Sequence, residues 1–156
     1  AATGNPAMLV RGSATNLPFE NESMDAIVTD PPYYDNISYA DLSDFFYVWL
    51  KRSVGHLHPE HFAGEATPKR REAVVVRYRH GGDQGAARRF YEEQMQEAFN
   101  EAHRVLKPGA PLVCVYAHKT TLGWSTLVRA LQKAGFTVTE AWPIDTEMPD
   151  RVGQMH

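Results

Sequence analysis

The chain has 156 residues, of which 43% are hydrophobic, 11% aromatic and 22% charged. This composition is typical of a globular domain and excludes a wholly disordered chain, a collagen and a coiled coil. The net charge of −3 is unevenly spread, because residues 69–89 carry seven of the 16 Lys and Arg residues and two of the 19 acidic residues. Such a basic segment marks either a contact with a polyanion or a solvated loop.

The single cysteine, Cys114, excludes an internal disulfide and a cysteine-rich zinc site. No apolar run approaches the length of about 20 residues that crosses a membrane, and no basic-then-apolar leader opens the chain. We therefore expect a cytoplasmic protein with no membrane contact, and a single domain over residues 1–156.

Strands and helices alternate along the chain. Apolar stripes at helical spacing predict helices over residues 39–52, 86–106 and 124–134. Short β-prone runs predict strands over residues 8–11, 25–29, 111–117 and 136–142, with residues 73–78 as either a short strand or an ordered loop. This order indicates an α/β fold with a mainly parallel sheet.

Ligands of such sheets bind beyond the carboxyl ends of the strands, and the tetrapeptide Asp30-Pro31-Pro32-Tyr33 stands directly after one predicted strand. An aromatic amino group is a poor nucleophile until acceptors take hydrogen bonds from both of its N–H groups. Asp30 offers a carboxylate, and the Pro31 carbonyl offers a second acceptor on a backbone that the proline rings stiffen. Tyr33 offers a flat face on which an extruded base stacks. These residue types favour methyl transfer to an exocyclic amine.

The tetrapeptide resembles the catalytic motif of class I S-adenosylmethionine-dependent amino-methyltransferases. A wider set of segments resembles the large bacterial and archaeal adenine-specific DNA methylases, some of them linked to anti-phage loci. These segments comprise residues 13–19, 25–39, 42–50, 78–82, 117–121, 142–143 and 146–148. The resemblance implies a Rossmann-like methyltransferase fold and transfer of a methyl group from S-adenosylmethionine to N6 of adenine in DNA, in restriction-modification or phage defence.

The resemblance also implies that only part of that fold is present, namely strands three to six with their helices. The N-terminal half, with the glycine-rich cofactor loop, and the last strand would lie outside the chain. Asp30, Ser13 and Ala14 are the implied cofactor contacts, although Ser13 stands where the family often has an acidic residue. We therefore expect the isolated chain to be inactive, and the rest of a longer chain or another copy to complete the sheet.

Further residues are implied as contacts to the nucleic acid, each with a structural alternative such as helix entry or a solvated loop: Tyr34, Asn36, Tyr39, Arg77, Arg79, His118 and Lys119. The side chains of Phe45, Phe46 and Trp49 are predicted to lie in the core rather than to stack on bases. No metal site is predicted, because the nearby His56, His58 and His61 lack a cysteine and a clear fourth ligand.

Two other functions fit the same residues. An RNA guanine-N2 methyltransferase would use the same tetrapeptide, because it acts on the same kind of nitrogen. A non-catalytic nucleic-acid-binding fragment is the second alternative, since the chain has no glycine-rich loop of the family type.

Overall fold

The computed structural model describes residues 7–35 and 37–144. The elements, in chain order, are strand β1 (Ile27–Thr29), helix α1 (Tyr39–Val54), a 3-10 turn (Arg77–His80), helix α2 (Gln84–Val105), strand β2 (Leu112–Cys114) and helix α3 (Thr121–Lys133). This part of the chain is a mixed α/β structure with three helices and a two-stranded parallel sheet. None of its helices has the length and apolar character needed to cross a membrane.

The two strands pair in parallel, with Ile27 opposite Leu112 and Thr29 opposite Cys114. One face of the sheet packs towards the helices, because Leu112 and Cys114 contact the core formed by α2 and α3. The opposite face is open, and Val28 is 75% exposed. The carboxyl ends of both strands lie at one edge of this sheet, where sequence analysis expects the site.

Helix α2 contributes more buried residues than any other element, because its buried positions recur every three or four residues: Ala87, Tyr91, Met95, Phe99, Ala102 and Val105. The helix begins after Asp83, whose carboxylate accepts hydrogen bonds from the backbone N–H groups of Gly85 and Ala86. Helix α3 begins after Thr120 and packs Leu127 and Leu131 into the same core. The three predicted helices are therefore confirmed, with ends that shift by at most three residues.

Helix α1 faces the protein with its polar side. Tyr47 and Lys51 both donate to the Gly64 carbonyl, at 2.7 and 2.5 Å. Asp44 accepts hydrogen bonds from the backbone N–H of Thr67 at 2.9 Å and from the ammonium of Lys69 at 2.6 Å. The amphipathic pattern of α1 therefore correctly predicts the helix but not the side by which it packs.

The prediction that Phe45, Phe46 and Trp49 lie in the core is wrong, because these side chains are 66%, 62% and 58% exposed. The polar contacts with residues 64–69 turn the aromatic side of α1 outwards. No residue of α1 is buried among the residues that the structure describes.

Two of the four predicted strands are also corrected. Residues 8–11 form no strand, and Leu9 is 96% exposed. Residues 136–142 form none either: Phe136 packs edge-on against His103, whereas Trp142 is 77% exposed. A strand needs a partner for its backbone hydrogen bonds, and neither segment has one within residues 7–35 and 37–144. Residues 73–76 are an ordered loop in which Val74 and Val75 are buried, and residues 77 and 78 begin the 3-10 turn.

Candidate functional site

The tetrapeptide lies at the carboxyl end of β1, next to the end of β2. Asp30 is exposed, and its carboxylate has no hydrogen-bond or ion-pair partner among the described residues. The Pro31 carbonyl likewise accepts no hydrogen bond within this part of the chain. Two acceptor groups of adjacent residues are thus unpaired within the described residues, one on the exposed Asp30 and one on the half-buried Pro31, and they are called the open acceptors below.

The next carbonyl, that of Pro32, is occupied and fixes the loop. It accepts a hydrogen bond from the Tyr91 hydroxyl at 2.7 Å and another from the Tyr34 backbone N–H at 3.1 Å. Burial raises the pKa of Tyr91, so its hydroxyl remains protonated and continues to donate. The buried side chain of Tyr91 therefore connects helix α2 to the tetrapeptide.

Tyr34 anchors the loop in the core. Its backbone has a φ of 55°, in the left-handed region, which only a few per cent of non-glycine residues adopt. Its side chain is 4% exposed, its ring packs edge-on against Tyr91, and its carbonyl accepts from the Val75 N–H at 2.9 Å. Burial raises the pKa of the Tyr34 hydroxyl. The geometry thus gives Tyr34 a structural position rather than one open to a base.

Tyr33 joins a row of aromatic rings beside Asp30. Its ring packs edge-on against Tyr116, with centroids 5.3 Å apart, and Tyr116 packs edge-on against Trp124 at the same distance. Tyr116 lies just beyond β2 and Trp124 in the first turn of α3. Edge-on packing fixes the orientation of each ring. The candidate site therefore combines two open acceptors with a ring whose plane is held by its neighbours.

His118 lies behind this row and not on its surface. Its side chain is 6% exposed and its Nε2 lies 3.5 Å from the Asp35 carboxylate. Its ring packs edge-on against Tyr34. Lys119, the next residue, is exposed in the loop before α3.

Cys114 reports on the electrostatics of this edge. Burial raises the pKa of the Cys114 thiol to about 11, and the negative charge of Asp30 adds to that rise. The thiol is therefore protonated near neutral pH and is a poor nucleophile.

The predicted cofactor residues Ser13 and Ala14 lie in a turn of their own. The Ser13 hydroxyl is hydrogen-bonded to the Thr15 hydroxyl at 2.9 Å, and Ala14 is exposed. Just after the turn, the Leu17 N–H donates to Glu101 in the C-terminal half of α2, whereas the tetrapeptide contacts Tyr91 near its start. No hydrogen bond or ion pair between described residues joins this turn to Asp30.

The two arginines predicted to contact phosphates have different surroundings. Arg77 is exposed. Arg79 is 12% exposed in its side chain, and its guanidinium pairs with Glu72 at 2.6 Å and with Asp41 at 2.8 Å. These hydrogen bonds raise the pKa of Arg79 against the opposing effect of burial and tie the loop before α2 to the start of α1. Of this pair, Arg77 is therefore the more accessible to solvent.

The remaining predicted residues are scattered or undescribed. Tyr39 is 58% exposed at the first position of α1. Asn36 lies outside the described residues, as does Glu147, a residue of the segment 146–148. Among the histidines after α1, His61 bonds to Arg11 at 2.6 Å, and no group of side chains suited to a metal ion occurs in the described ranges.

Sequence reasoning missed two features of the site. Tyr91 is identified from the sequence as part of an apolar stripe, but the bond from its hydroxyl to Pro32 joins residues far apart in the chain. Tyr116 follows the end of β2, and that position was the available signal for it, whereas Trp124 lies in α3 and joins the row only through its contact with Tyr116.

Comparisons with protein-family models, with curated proteins and with solved structures find no match for this chain.

Proposed function

We propose that the chain is the catalytic part of an S-adenosylmethionine-dependent methyltransferase that acts on the N6 amino group of adenine in DNA. The observation that supports this best is the pair of open acceptors, Asp30 and the Pro31 carbonyl, at the carboxyl end of a parallel strand. Because Asp30 is exposed and has no ion-pair partner among the described residues, its carboxylate is available to accept an N–H group from a substrate.

The chemistry proposed for these residues is orientation of the amine. Asp30 and the Pro31 carbonyl each accept one N–H of the adenine amino group, which directs the nitrogen lone pair out of the ring plane. Tyr33 stacks on the base, a contact worth about 1–3 kcal/mol. S-adenosylmethionine, when bound, would supply the methyl group to this nitrogen, and the amine would lose its proton late, to water or to Asp30. No covalent intermediate on the protein is involved.

The sulfonium end of the methyl donor is proposed to lie beside Asp30. S-adenosylmethionine supplies an electrophilic methyl group on a cationic sulfur, and the exposed Asp30 carboxylate is a suitable neighbour for that charge. Ser13 and Ala14 are proposed for the adenine end of the cofactor. Since the Ser13 hydroxyl is already bonded to Thr15, we expect the chain by itself to bind the cofactor weakly.

The exposed arginines support a polyanionic substrate. Lys69 and Arg79 are paired with carboxylates, whereas Arg70, Arg71, Arg77 and Arg88 are exposed. Phosphate contacts of this kind are strongly salt-dependent and favour nucleic acid over a small amine.

We propose that the chain forms part of a Rossmann-like methyltransferase fold. The parallel pairing of β1 with β2 across the intervening helices supports it, and so does the position of the tetrapeptide at the strand end. The open sheet face and the outward aromatic side of α1 support a further segment or a second copy that would cover them.

A methylation assay tests the proposal. The protein as it occurs in the cell is incubated with S-adenosylmethionine labelled in its methyl group and with DNA, with tRNA, or with neither. We expect label in N6-methyladenine of DNA, and we expect Asp30→Ala to abolish it without unfolding the protein. Asp25→Ala is the control, because Asp25 is exposed, lies just before the other end of the same strand, and loses only a surface ion pair with Lys107. Label in tRNA guanine would replace the proposal with the RNA alternative, and undiminished turnover of Asp30→Ala would refute it.

A further inference from the structure

His118 connects the loop after the tetrapeptide to the start of α3. Its Nε2 faces the Asp35 carboxylate at 3.5 Å. Its Nδ1 faces the backbone N–H of Thr120 at 3.1 Å and the Thr120 hydroxyl at 3.1 Å. Thr120 is the residue that caps α3, accepting from the Gly123 N–H through the same hydroxyl.

These partners determine which nitrogen of the ring carries the proton. A backbone N–H can only donate, so Nδ1 must present its lone pair to Thr120. A carboxylate can only accept, so Nε2 must carry a hydrogen towards Asp35. The Thr120 hydroxyl agrees with this assignment, because it accepts from Gly123 and has its own hydrogen available for Nδ1. The carbonyl of Thr120 is the one group that would prefer a proton on Nδ1, and at 3.4 Å it lies further away.

Close contacts on several sides fix the position of the His118 imidazole. A Cβ atom at Gly123 would lie 2.3 Å from the His118 Nδ1, so only glycine allows the approach. The Trp124 indole N–H donates to the His118 carbonyl at 3.0 Å. The ring itself stacks near Tyr116 and meets Tyr34 edge-on.

We propose that His118 is a positioning residue, held as the neutral tautomer with its proton on Nε2, that clamps the loop of Tyr34 and Asp35 onto the capped start of α3. Through this clamp it fixes the aromatic row in which Tyr33 stands. The effect on turnover rests on the function proposed above, whereas the tautomer and the clamp do not.

The tautomer is measured directly by NMR correlation of the imidazole nitrogens with their ring protons in the uniformly 15N-labelled protein. His118→Gln identifies the signals by their loss. We expect Nδ1 to give the signal of an unprotonated nitrogen and Nε2 that of a protonated one, unlike the exposed His56 and His58, which serve as internal references. A proton on Nδ1, or signals averaged like those references, would overturn the proposal.

Two variants test the clamp without removing the ring. Asp35→Ala removes the acceptor at Nε2, and Gly123→Ala pushes the ring from Thr120; both should shift the His118 signals towards the averaged pattern. Asp25→Ala, which removes a carboxylate at the far end of β1, should leave them unchanged. Unaltered His118 signals in both test variants would contradict the clamp.

Turnover provides the link to function. His118→Ala and Asp35→Ala should each lower kcat about tenfold with KM for the nucleic acid unchanged, and the double variant should be no worse than either. His118→Gln keeps an N–H donor towards Asp35 and should recover most of the loss. A rise in KM would make His118 a substrate contact and overturn the positioning role. Absence of methylation in the wild-type protein would refute the proposed function, and the NMR result would still decide the clamp.

Discussion

The charge on Asp30 acts on the thiol of Cys114, one strand away. Burial and this charge together raise the pKa of the thiol to about 11. Cys114 is the only cysteine in the sequence, so the rate at which a thiol reagent modifies the protein reports on this one group. That rate is therefore a measure of the charge at the candidate site.

We predict that Asp30→Asn lowers the pKa of Cys114 and speeds its alkylation by iodoacetamide at pH 8.5 by roughly 2- to 5-fold, since less negative charge opposes the thiolate. The measurement is the rate of carboxamidomethylation followed by mass spectrometry. Asp25→Asn should react at the wild-type rate. Equal rates in all three proteins would mean that Asp30 does not face the β2 edge.

Substitutions of Arg77 and Arg79 should affect different properties, nucleic-acid binding for Arg77 and folding stability for Arg79. Arg79→Ala should lower the free energy of unfolding by roughly 2 kcal/mol, because it leaves Glu72, 14% exposed, without its counter-charge. Arg77→Ala should leave stability unchanged and reduce the salt dependence of nucleic-acid binding by about one phosphate contact. Urea titration and binding titrations at several salt concentrations measure the two effects. Destabilisation by Arg77→Ala, or none by Arg79→Ala, would contradict this division.

At the scale of elements, the sequence predicts helices well and their packing poorly. The extents of α1, α2 and α3 follow from local signals, namely periodicity in all three, side-chain caps at the starts of α2 and α3, and Gly55 at the end of α1. The orientation of α1 depends on Gly64 and Thr67, which lie in a loop without periodicity. The same limit applies to the site, where the sequence identifies the tetrapeptide at a strand end but not the Tyr91 hydroxyl that fixes it.

The outward side of α1 can be tested against the core side of α2. Phe46→Gln should change the free energy of unfolding by no more than about 0.5 kcal/mol, since its side chain is already 62% exposed. Phe99→Ala, at a position 3% exposed, should cost about 3–5 kcal/mol. Urea unfolding followed by circular dichroism compares them. A cost for Phe46→Gln similar to that for Phe99→Ala would mean that the aromatic side of α1 is covered.

At the scale of the whole molecule, carboxylates hold the peripheral segments in place. Hydrogen bonds from Ser38 and Tyr78 lower the pKa of Asp41 to about 2, bonds from Lys69 and Thr67 do the same for Asp44, and bonds from Arg104 and Leu17 for Glu101. These groups fasten α1 and the segment before β1 to the rest of the protein.

We predict that stability falls with acidification. The pKa values of these carboxyl groups lie below the ordinary values of 3.8 for Asp and 4.5 for Glu, so the ionised form favours the folded state. Their contribution is complete above about pH 5 and is lost as the pH falls towards 2. Urea midpoints at pH 7, 4 and 2.5 measure the loss. Asp44→Asn should flatten this dependence and Glu93→Gln, on exposed α2 surface, should not; an equal slope in both would contradict the assignment.

The pairing of β1 with β2 also sets an order of events during synthesis. Ile27 meets Leu112 only once residue 112 has been synthesised and has left the ribosome, and until then β1 lacks the one strand neighbour that it has among the described residues. The closure of so long a connection is slow, and an unpaired strand attracts strands of other chains. We therefore expect a chaperone to raise the yield of folded protein, by keeping β1 from other chains until β2 has been synthesised.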